Sequence, residues 1–177
     1  MWMKEYRAPS RRQDPDQRSH ALEVLETILG AGATSRFYES LVVKQKLAAH
    51  AGVSYSPDRY DLSEFGFYAT PNPGVSMKTL EAAMEGEIAR LLADGVSNED
   101  VTRAKTRLID GAAYARDSLS GGAYALGQAL GTGQSIADVE NWPDRIGAVT
   151  TDQVNAALKA VLKPEASVTG RLLGENQ

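Results

Sequence analysis

The sequence lacks cysteine entirely and contains only two histidines among its 177 residues. No thiolate is therefore available to bind zinc. His20 and His50 lie thirty residues apart, and neither has a second histidine four positions away. Two histidines four residues apart would place two zinc ligands on one face of a helix. We therefore assign the chain no metal ligand, no cofactor of its own and no catalytic residue. The lack of cysteine fits the cytoplasm and the periplasm of a bacterium equally well.

Long apolar runs and an excess of basic residues are also missing. No stretch approaches the roughly 20 apolar residues that a membrane helix needs, so we expect no membrane partner. The formal charge is −4, which leaves no basic surface to neutralise phosphates, so we expect no nucleic-acid partner. The sequence opens on a strand pattern at residues 2–7 and not on the basic and then apolar pattern of a signal peptide. We interpret this abrupt beginning as that of a fragment or of one part of a divided protein.

The residues that are present have the composition of a soluble globular protein, with 42% hydrophobic and 24% charged residues. A chain of this length can bury one substantial core, so we treat residues 1–177 as a single domain. Alternation of apolar and polar residues predicts four strands, at residues 2–7, 47–55, 65–69 and 168–172. In the second of these, we expect the odd positions from Leu47 to Tyr55 to face the core.

Most of the remaining chain has the spacing of amphipathic helices. Asp14-Pro15 predicts the start of the first helix, and Gly30 predicts its end. Thr150-Thr151-Asp152-Gln153 has the pattern of a capping box at the start of the last long helix. The alanine- and glycine-rich segment 121–133 is expected to pack closely against its neighbours. We therefore predict an α+β fold, in which a mostly antiparallel sheet of about four strands has helices packed on one face.

The glycine-rich stretch from Leu29 to Leu41 is the most informative part of the chain. It reads Gly-Ala-Gly-Ala-Thr-Ser-Arg-Phe-Tyr from Gly30 to Tyr38. A glycine-rich turn before a helix can hold a phosphate, but no strand precedes this turn and no Lys-Ser/Thr follows it. A tight turn between two helices is the simpler interpretation. Peptide contact at this loop remains an alternative.

The same stretch resembles the glycine–Ser-Arg-Leu-Tyr block of the pitrilysin-type zinc metallopeptidases, the inverzincin family of insulinase and the mitochondrial processing peptidase. Three further blocks resemble the second domain of that family: Asp94 to Lys105, Val149 to Val154, and Phe65 to Ala69. Members of the family pair two similar domains, of which one carries an H-x-x-E-H zinc motif. Because that motif is absent here, the resemblance indicates the C-terminal, non-catalytic domain.

The resemblance implies a ferredoxin-like two-layer sandwich and a function shared with a partner. The partner would be the zinc-bearing catalytic half, either in the same chain or in a separate subunit. The two halves would enclose peptides in a chamber, and this half alone would be inactive. A non-enzymatic assembly or core subunit with the same fold is the alternative. The isolated domain could also form a homodimer through the face that its partner normally covers.

The chain departs from the family at two positions. Many members carry an arginine and a tyrosine in a pattern like L-R-x-K-x-x-L-(G/A)-Y, and these assist the transition state. The matching positions here are Val42 and Ala49, and neither side chain can donate a hydrogen bond to an oxyanion. This departure puts full peptidase activity of the parent protein in question.

Three nearby polar residues are our candidates for peptide binding: Arg36, His50 and Tyr55. Arg36 lies in the first turn of a helix, where its charge opposes the helix dipole, so we expect it to have a specific partner. A carboxylate or a loop carbonyl would satisfy it, as would a peptide. His50 is expected on the polar face of its strand.

Overall fold

The computed structural model describes residues 1–115, 117–118 and 120–174. In these residues the first strand, β1, is followed by two helices, two strands, a run of six helices and a last strand. The π-helical stretch Glu39–Lys44 continues α2, and the short 3-10 helix Pro164–Ala166 precedes β4. The strands and α-helices are β1 (Trp2–Ala8), α1 (Ser19–Gly30), α2 (Arg36–Tyr38), β2 (Ala48–Tyr55), β3 (Ser63–Pro71), α3 (Met77–Asp94), α4 (Asn98–Ala115), α5 (Gly121–Gly131), α6 (Ile136–Glu140), α7 (Trp142–Ala148), α8 (Thr151–Val161) and β4 (Ser167–Arg171).

The four strands form one antiparallel sheet in the order β2-β3-β1-β4. The first strand of the chain is therefore central, and it pairs with β3 on one side and β4 on the other. Tyr6 is opposite Phe65 in this register, and Val53 is opposite Phe67. The predicted α+β class and antiparallel four-stranded sheet are confirmed.

The core lies between one face of the sheet and the helices. Trp2 and Tyr6 of β1 and Phe65 and Phe67 of β3 are buried on this face, as period-two alternation requires. Tyr6 and Phe67 meet edge to face, with ring centroids 6.0 Å apart. Helix α1 contributes the buried leucines Leu22, Leu25 and Leu29. Helices α1, α3 and α8 contact the sheet, which makes the domain a two-layer sandwich.

Helix α1 begins later than the sequence predicts, at Ser19 and not at Asp14-Pro15. Gln17 has a φ of +53°, which interrupts the helical path before it can start. Asp14 still caps the helix from outside. Its Oδ1 accepts from the Arg18 N–H at 2.7 Å, and its Oδ2 accepts from the Ser19 N–H at 2.6 Å. The capping residue was correctly identified, but the turn between it and the helix was missed.

Two packing predictions were wrong. A bulge between Ala48 and His50 shifts the alternation of β2, so that Ala48 is buried and Ala49 is exposed. Further along the strand, Ala51 and Val53 are buried as predicted. Segment 121–131 does form a helix, but Ala129 is its only buried residue. Its small side chains leave space beside α5 and do not bring it close to its neighbours.

Helix α8 has the predicted capping box, which gives a first testable prediction. Thr150 Oγ1 accepts from the Gln153 N–H at 3.2 Å, and Gln153 Oε1 accepts from the Thr150 N–H at 2.9 Å. We expect Thr150→Ala to lower the free energy of unfolding by about 1 kcal/mol, because one N-terminal N–H loses its acceptor. Urea unfolding measures this loss. Thr150→Ser keeps the oxygen and should retain most of the stability; an equal loss in both variants would exclude the cap as its cause.

None of the helices in the described residues is both long enough and apolar enough to cross a membrane.

Candidate functional site

Arg36 lies where the glycine-rich turn meets the connection between α3 and α4. Its Nη1 donates to the carbonyl oxygen of Gly95 at 3.0 Å, and its Nη2 is 4.0 Å from Asp94 Oδ2. The expected specific partner is therefore a loop carbonyl. From α4, Arg107 Nη1 donates to the carbonyl oxygen of Ala31 at 2.5 Å. Two arginines thus connect this turn, which joins α1 to α2, with the α3–α4 region.

A third contact holds the same connection from α8. The side-chain amide of Asn155 pairs with the backbone of Val96, with its Oδ1 2.9 Å from the N–H and its Nδ2 3.3 Å from the carbonyl oxygen. Gly95 has a φ of +71°, which a side chain at this position would strain. The Asp94–Lys105 block is thus a structural junction. The resemblance singled out this block but not Asn155, which lies 59 residues from Val96.

His50 is exposed near the end of β2, on the face of the sheet that points away from the core. Its ring lies 5.5 Å from that of Tyr68 on β3, measured between centroids. A Cβ atom at Gly52 would lie 2.5 Å from Tyr68 Oη, so the tyrosine side chain lies across this glycine. His50 is therefore beside an aromatic side chain that is held flat against the sheet.

Two further glycines on this outer face also have a neighbouring side chain over them. A Cβ atom at Gly66 would come within 3.0 Å of Ser54 Oγ, and one at Gly170 within 3.1 Å of Met3 Cγ. The side chains of neighbouring strands therefore lie over these glycines. Val168 of β4 is on the same face, opposite Glu5, and 74% of its surface is exposed. No helix of the described chain covers this outer face.

Tyr55 has a different environment at the other end of β2. Its hydroxyl donates to the carbonyl oxygen of Pro9 at 2.7 Å, which ties β2 to the segment after β1. Burial, together with the nearby Glu23 carboxylate, raises the pKa of Tyr55 above its ordinary value. The phenol is therefore neutral and serves as a hydrogen-bond donor within the fold.

The three candidate residues are thus held in three separate places. Arg36 lies at the helix junction, His50 on the outer sheet face and Tyr55 against the Pro9 carbonyl. Within β2, His50 is opposite Thr70 and Tyr55 is opposite Phe65, toward opposite ends of the strand. The structure does not bring them together around one ligand. Peptide contact at each of them stays a prediction.

The two positions where the chain departs from the pitrilysin pattern both carry apolar side chains. Val42 packs against the hydrophobic core, and Ala49 is exposed at the bulge of β2. A valine side chain packed on the core stabilises the domain through burial. Neither position presents a donor to a reacting group.

The described residues contain no group of three histidine, cysteine, aspartate or glutamate side chains placed to hold a metal ion. His20 lies in α1, where burial lowers its pKa to about 4 and the charges of Arg11 and Arg145 act in the same direction. The side chains present in the described chain do not fit the H-x-x-E-H zinc motif. No step of a zinc reaction is therefore assigned to this chain.

Comparison with known proteins bears on these features. The family described as the peptidase M16 inactive domain matches residues 5–108. An uncharacterized zinc protease of Streptomyces coelicolor is 29% identical over 160 residues, which cover 89% of this chain and 34% of that protein. A protease from Helicobacter pylori has the same fold, with a TM-score of 0.85 at 20% identity, over 95% of this chain and 39% of that chain. The inactive peptidase domain of a Bordetella parapertussis protein matches with a TM-score of 0.82 at 21% identity, over 98% of this chain and 89% of that one. The chain therefore spans about a third of the length of the Streptomyces relative.

Proposed function

This chain belongs to the peptidase M16 inactive domain family, and we propose that it is the non-catalytic, substrate-enclosing half of a zinc-dependent peptidase. The matched residues include the glycine-rich turn with Arg36 and the block from Asp94 to Lys105. The predicted family and fold are therefore confirmed. Enclosure of peptides and pairing with an H-x-x-E-H half are the parts that we propose.

The uncovered outer face of the sheet is the observation that carries this proposal. Antiparallel sheets commonly leave one face to water, and the residues on that face are then mostly polar. Here the face has polar residues such as Glu5 and His50, but it also includes the exposed Val168 and the side chains of Met3 and Tyr68, which lie over glycines. Such a surface allows another domain to approach closely. We assign it to the zinc-bearing half.

In this arrangement the partner half supplies the zinc and all chemical steps. A bound zinc ion supplies an activated water for attack on a peptide carbonyl. This chain supplies one wall of the enclosure. His50 lies on the outer face and is exposed, so it is available to a peptide held between the halves. Arg36 and Tyr55 would reach a peptide only by exchanging their present partners, the carbonyl oxygens of Gly95 and Pro9.

Reconstitution with the catalytic half tests the proposal. We expect the chain alone to be metal-free and inactive on a quenched fluorescent peptide, and to restore chelator-sensitive cleavage when mixed with its partner. We expect Val168→Lys to weaken association with the partner at least about tenfold, because a charge would enter the contact. The lysine faces Glu5 across the β1–β4 pair, so folding should not suffer. Binding is measured by titration calorimetry and cleavage by fluorescence.

Ala82→Lys is the matched control, since Ala82 is exposed on α3 in the helical layer. It should bind and support cleavage as the parent chain does. Equal binding by both lysine variants would exclude the outer sheet face as the contact. Bound zinc or activity in the isolated chain would exclude the non-catalytic role. Tight binding without cleavage would favour the assembly subunit, an alternative that Val42 and Ala49 already support.

A further inference from the structure

A cavity lies beside α5, away from the outer sheet face. Its volume is about 690 Å³, within the range of small-molecule pockets. Small and apolar side chains of α4, α5, α6 and α7 make most of its wall, among them Ala112, Leu126, Val139 and Pro143. The composition of α5 explains why it is hollow. A Cβ atom at Gly122 would meet no other atom within 4 Å, so no side chain fills the space on that side.

Polar side chains collect at one part of this wall. Glu23 Oε2 accepts from Arg11 Nη2 at 2.8 Å and from Trp142 Nε1 at 3.0 Å. Asp58 Oδ1 accepts from Arg11 Nε at 3.0 Å and from Gln134 Nε2 at 2.9 Å. One guanidinium therefore serves two carboxylates. The second oxygen of Glu23, Oε1, is buried and has no hydrogen-bond partner among the described residues.

The described lining of the cavity has an excess of negative charge. Its described lining contains four carboxylates, those of Glu23, Asp58, Asp138 and Glu140, against the single guanidinium of Arg11. Asp138 is paired with Arg145, but Glu23 and Asp58 share Arg11. Burial raises the pKa of Glu23 to about 7, although Arg11 and Trp142 oppose the rise. The described lining therefore carries more negative than positive groups, and one further positive charge would reduce the imbalance.

We propose that this cavity binds a small organic amine. Its ammonium group lies beside Glu23 and Asp58 and balances the carboxylate charge that Arg11 alone does not offset, while its apolar body lies between α5 and α7. The indole of Trp142 and the ring of Tyr124 are part of the wall and suit an aromatic body next to a cation. A neutral molecule of the same shape would fill the space but leave the charge unbalanced. The site is separate from the outer face that we assign to the partner half.

Titration of the 177-residue chain with phenethylamine, followed by NMR, tests this inference. The chain has two tryptophans, so the Trp142 indole N–H gives one of two indole signals, and Trp2 in the core is the internal reference. We expect the Trp142 signal to shift at millimolar amine while the Trp2 signal stays in place. The neutral analogue 2-phenylethanol should bind at least about tenfold more weakly. Equal affinities for the two probes would overturn the proposal.

Two glycine variants keep the test decisive. Gly122→Leu puts a side chain into the cavity and should abolish the shift. Gly127 lies on the same helix, outside the described lining and also in open space, so Gly127→Leu is the control and should keep the shift. Glu23→Gln should lower the affinity for the amine about tenfold and leave that for the alcohol unchanged. If Glu23→Gln does not fold, the two leucine variants still decide. No Trp142 shift at about 10 mM amine, or an unchanged shift in Gly122→Leu, would overturn the proposal.

Discussion

Replacing Gly30 with alanine is expected to lower the free energy of unfolding by about 2–3 kcal/mol. A Cβ atom at Gly30 would lie 2.6 Å from the Val53 nitrogen and 2.7 Å from its carbonyl oxygen. These are backbone atoms of β2, fixed by the sheet, so no rotamer change can relieve the contact. The alanine must push the end of α1 away from β2 and loosen the leucines that α1 packs into the core. Urea unfolding measures the loss.

Gly86→Ala is the matched control because Gly86 lies within α3 and an added Cβ meets no atom within 4 Å. There the same substitution should raise the free energy of unfolding by about 0.5–1 kcal/mol, since alanine favours a helix over glycine. Opposite signs for the two substitutions are the expected result. A stable Gly30→Ala protein would show that α1 and β2 do not pack as closely as the structure has them.

The second prediction concerns two titrating groups of α1, His20 and Glu23, whose effects on stability cancel. Burial raises the pKa of Glu23 from 4.5 to about 7 and lowers the pKa of His20 from 6.5 to about 4. Between pH 4.5 and 6.5 the folded protein holds a proton on Glu23 that the unfolded chain releases. The contribution of Glu23 to the free energy of unfolding therefore falls as the pH rises. In the same pH range His20 is protonated in the unfolded chain but not in the folded protein. The contribution of His20 to the free energy of unfolding therefore rises with the pH.

Single substitutions should therefore reveal slopes of opposite sign. In Glu23→Gln only the histidine acts, and the free energy of unfolding should rise by about 1 kcal/mol per pH unit relative to the parent chain. In His20→Gln only the glutamate titrates, and the free energy of unfolding should fall by a similar amount per pH unit relative to the parent chain. Unfolding in urea at several pH values between 4.5 and 6.5 measures both slopes. The double variant is the control and should have the parent's slope; single variants with that slope would contradict the pKa shifts.

Local patterns in the sequence were enough to predict most of the fold. The alternation at Phe65, Phe67 and Ala69 placed β3 correctly, because every second side chain of a strand with one buried face must be apolar. The Thr150–Gln153 pattern placed the start of α8, because a capping box depends on residues three apart. Both signals lie within a few residues, and neither needs knowledge of a distant contact.

The features that the sequence did not predict depend on how separate segments of the chain meet. The bulge at Ala49 depends on how β2 meets β3, and the late start of α1 depends on a turn at Gln17. Arg36 and Gly95 lie 59 residues apart, and Trp142 lies 119 residues from Glu23. No periodicity connects such pairs. The candidate site residues were therefore chosen because they are polar and lie near the Val42–Ala49 pattern in the sequence, and the structure alone showed that they occupy three separate places.

The central position of β1 also has a consequence for how the domain is assembled. β4 pairs with β1 antiparallel, so Trp2 lies opposite Arg171, and the Met1 ammonium donates to the Leu172 carbonyl oxygen at 2.8 Å. This edge of the sheet therefore joins residues that are almost the whole chain apart. Such pairing has a high contact order, and proteins that depend on it fold slowly. Within this domain β1 completes its pairing only after β4 has been synthesised, so the sheet closes late.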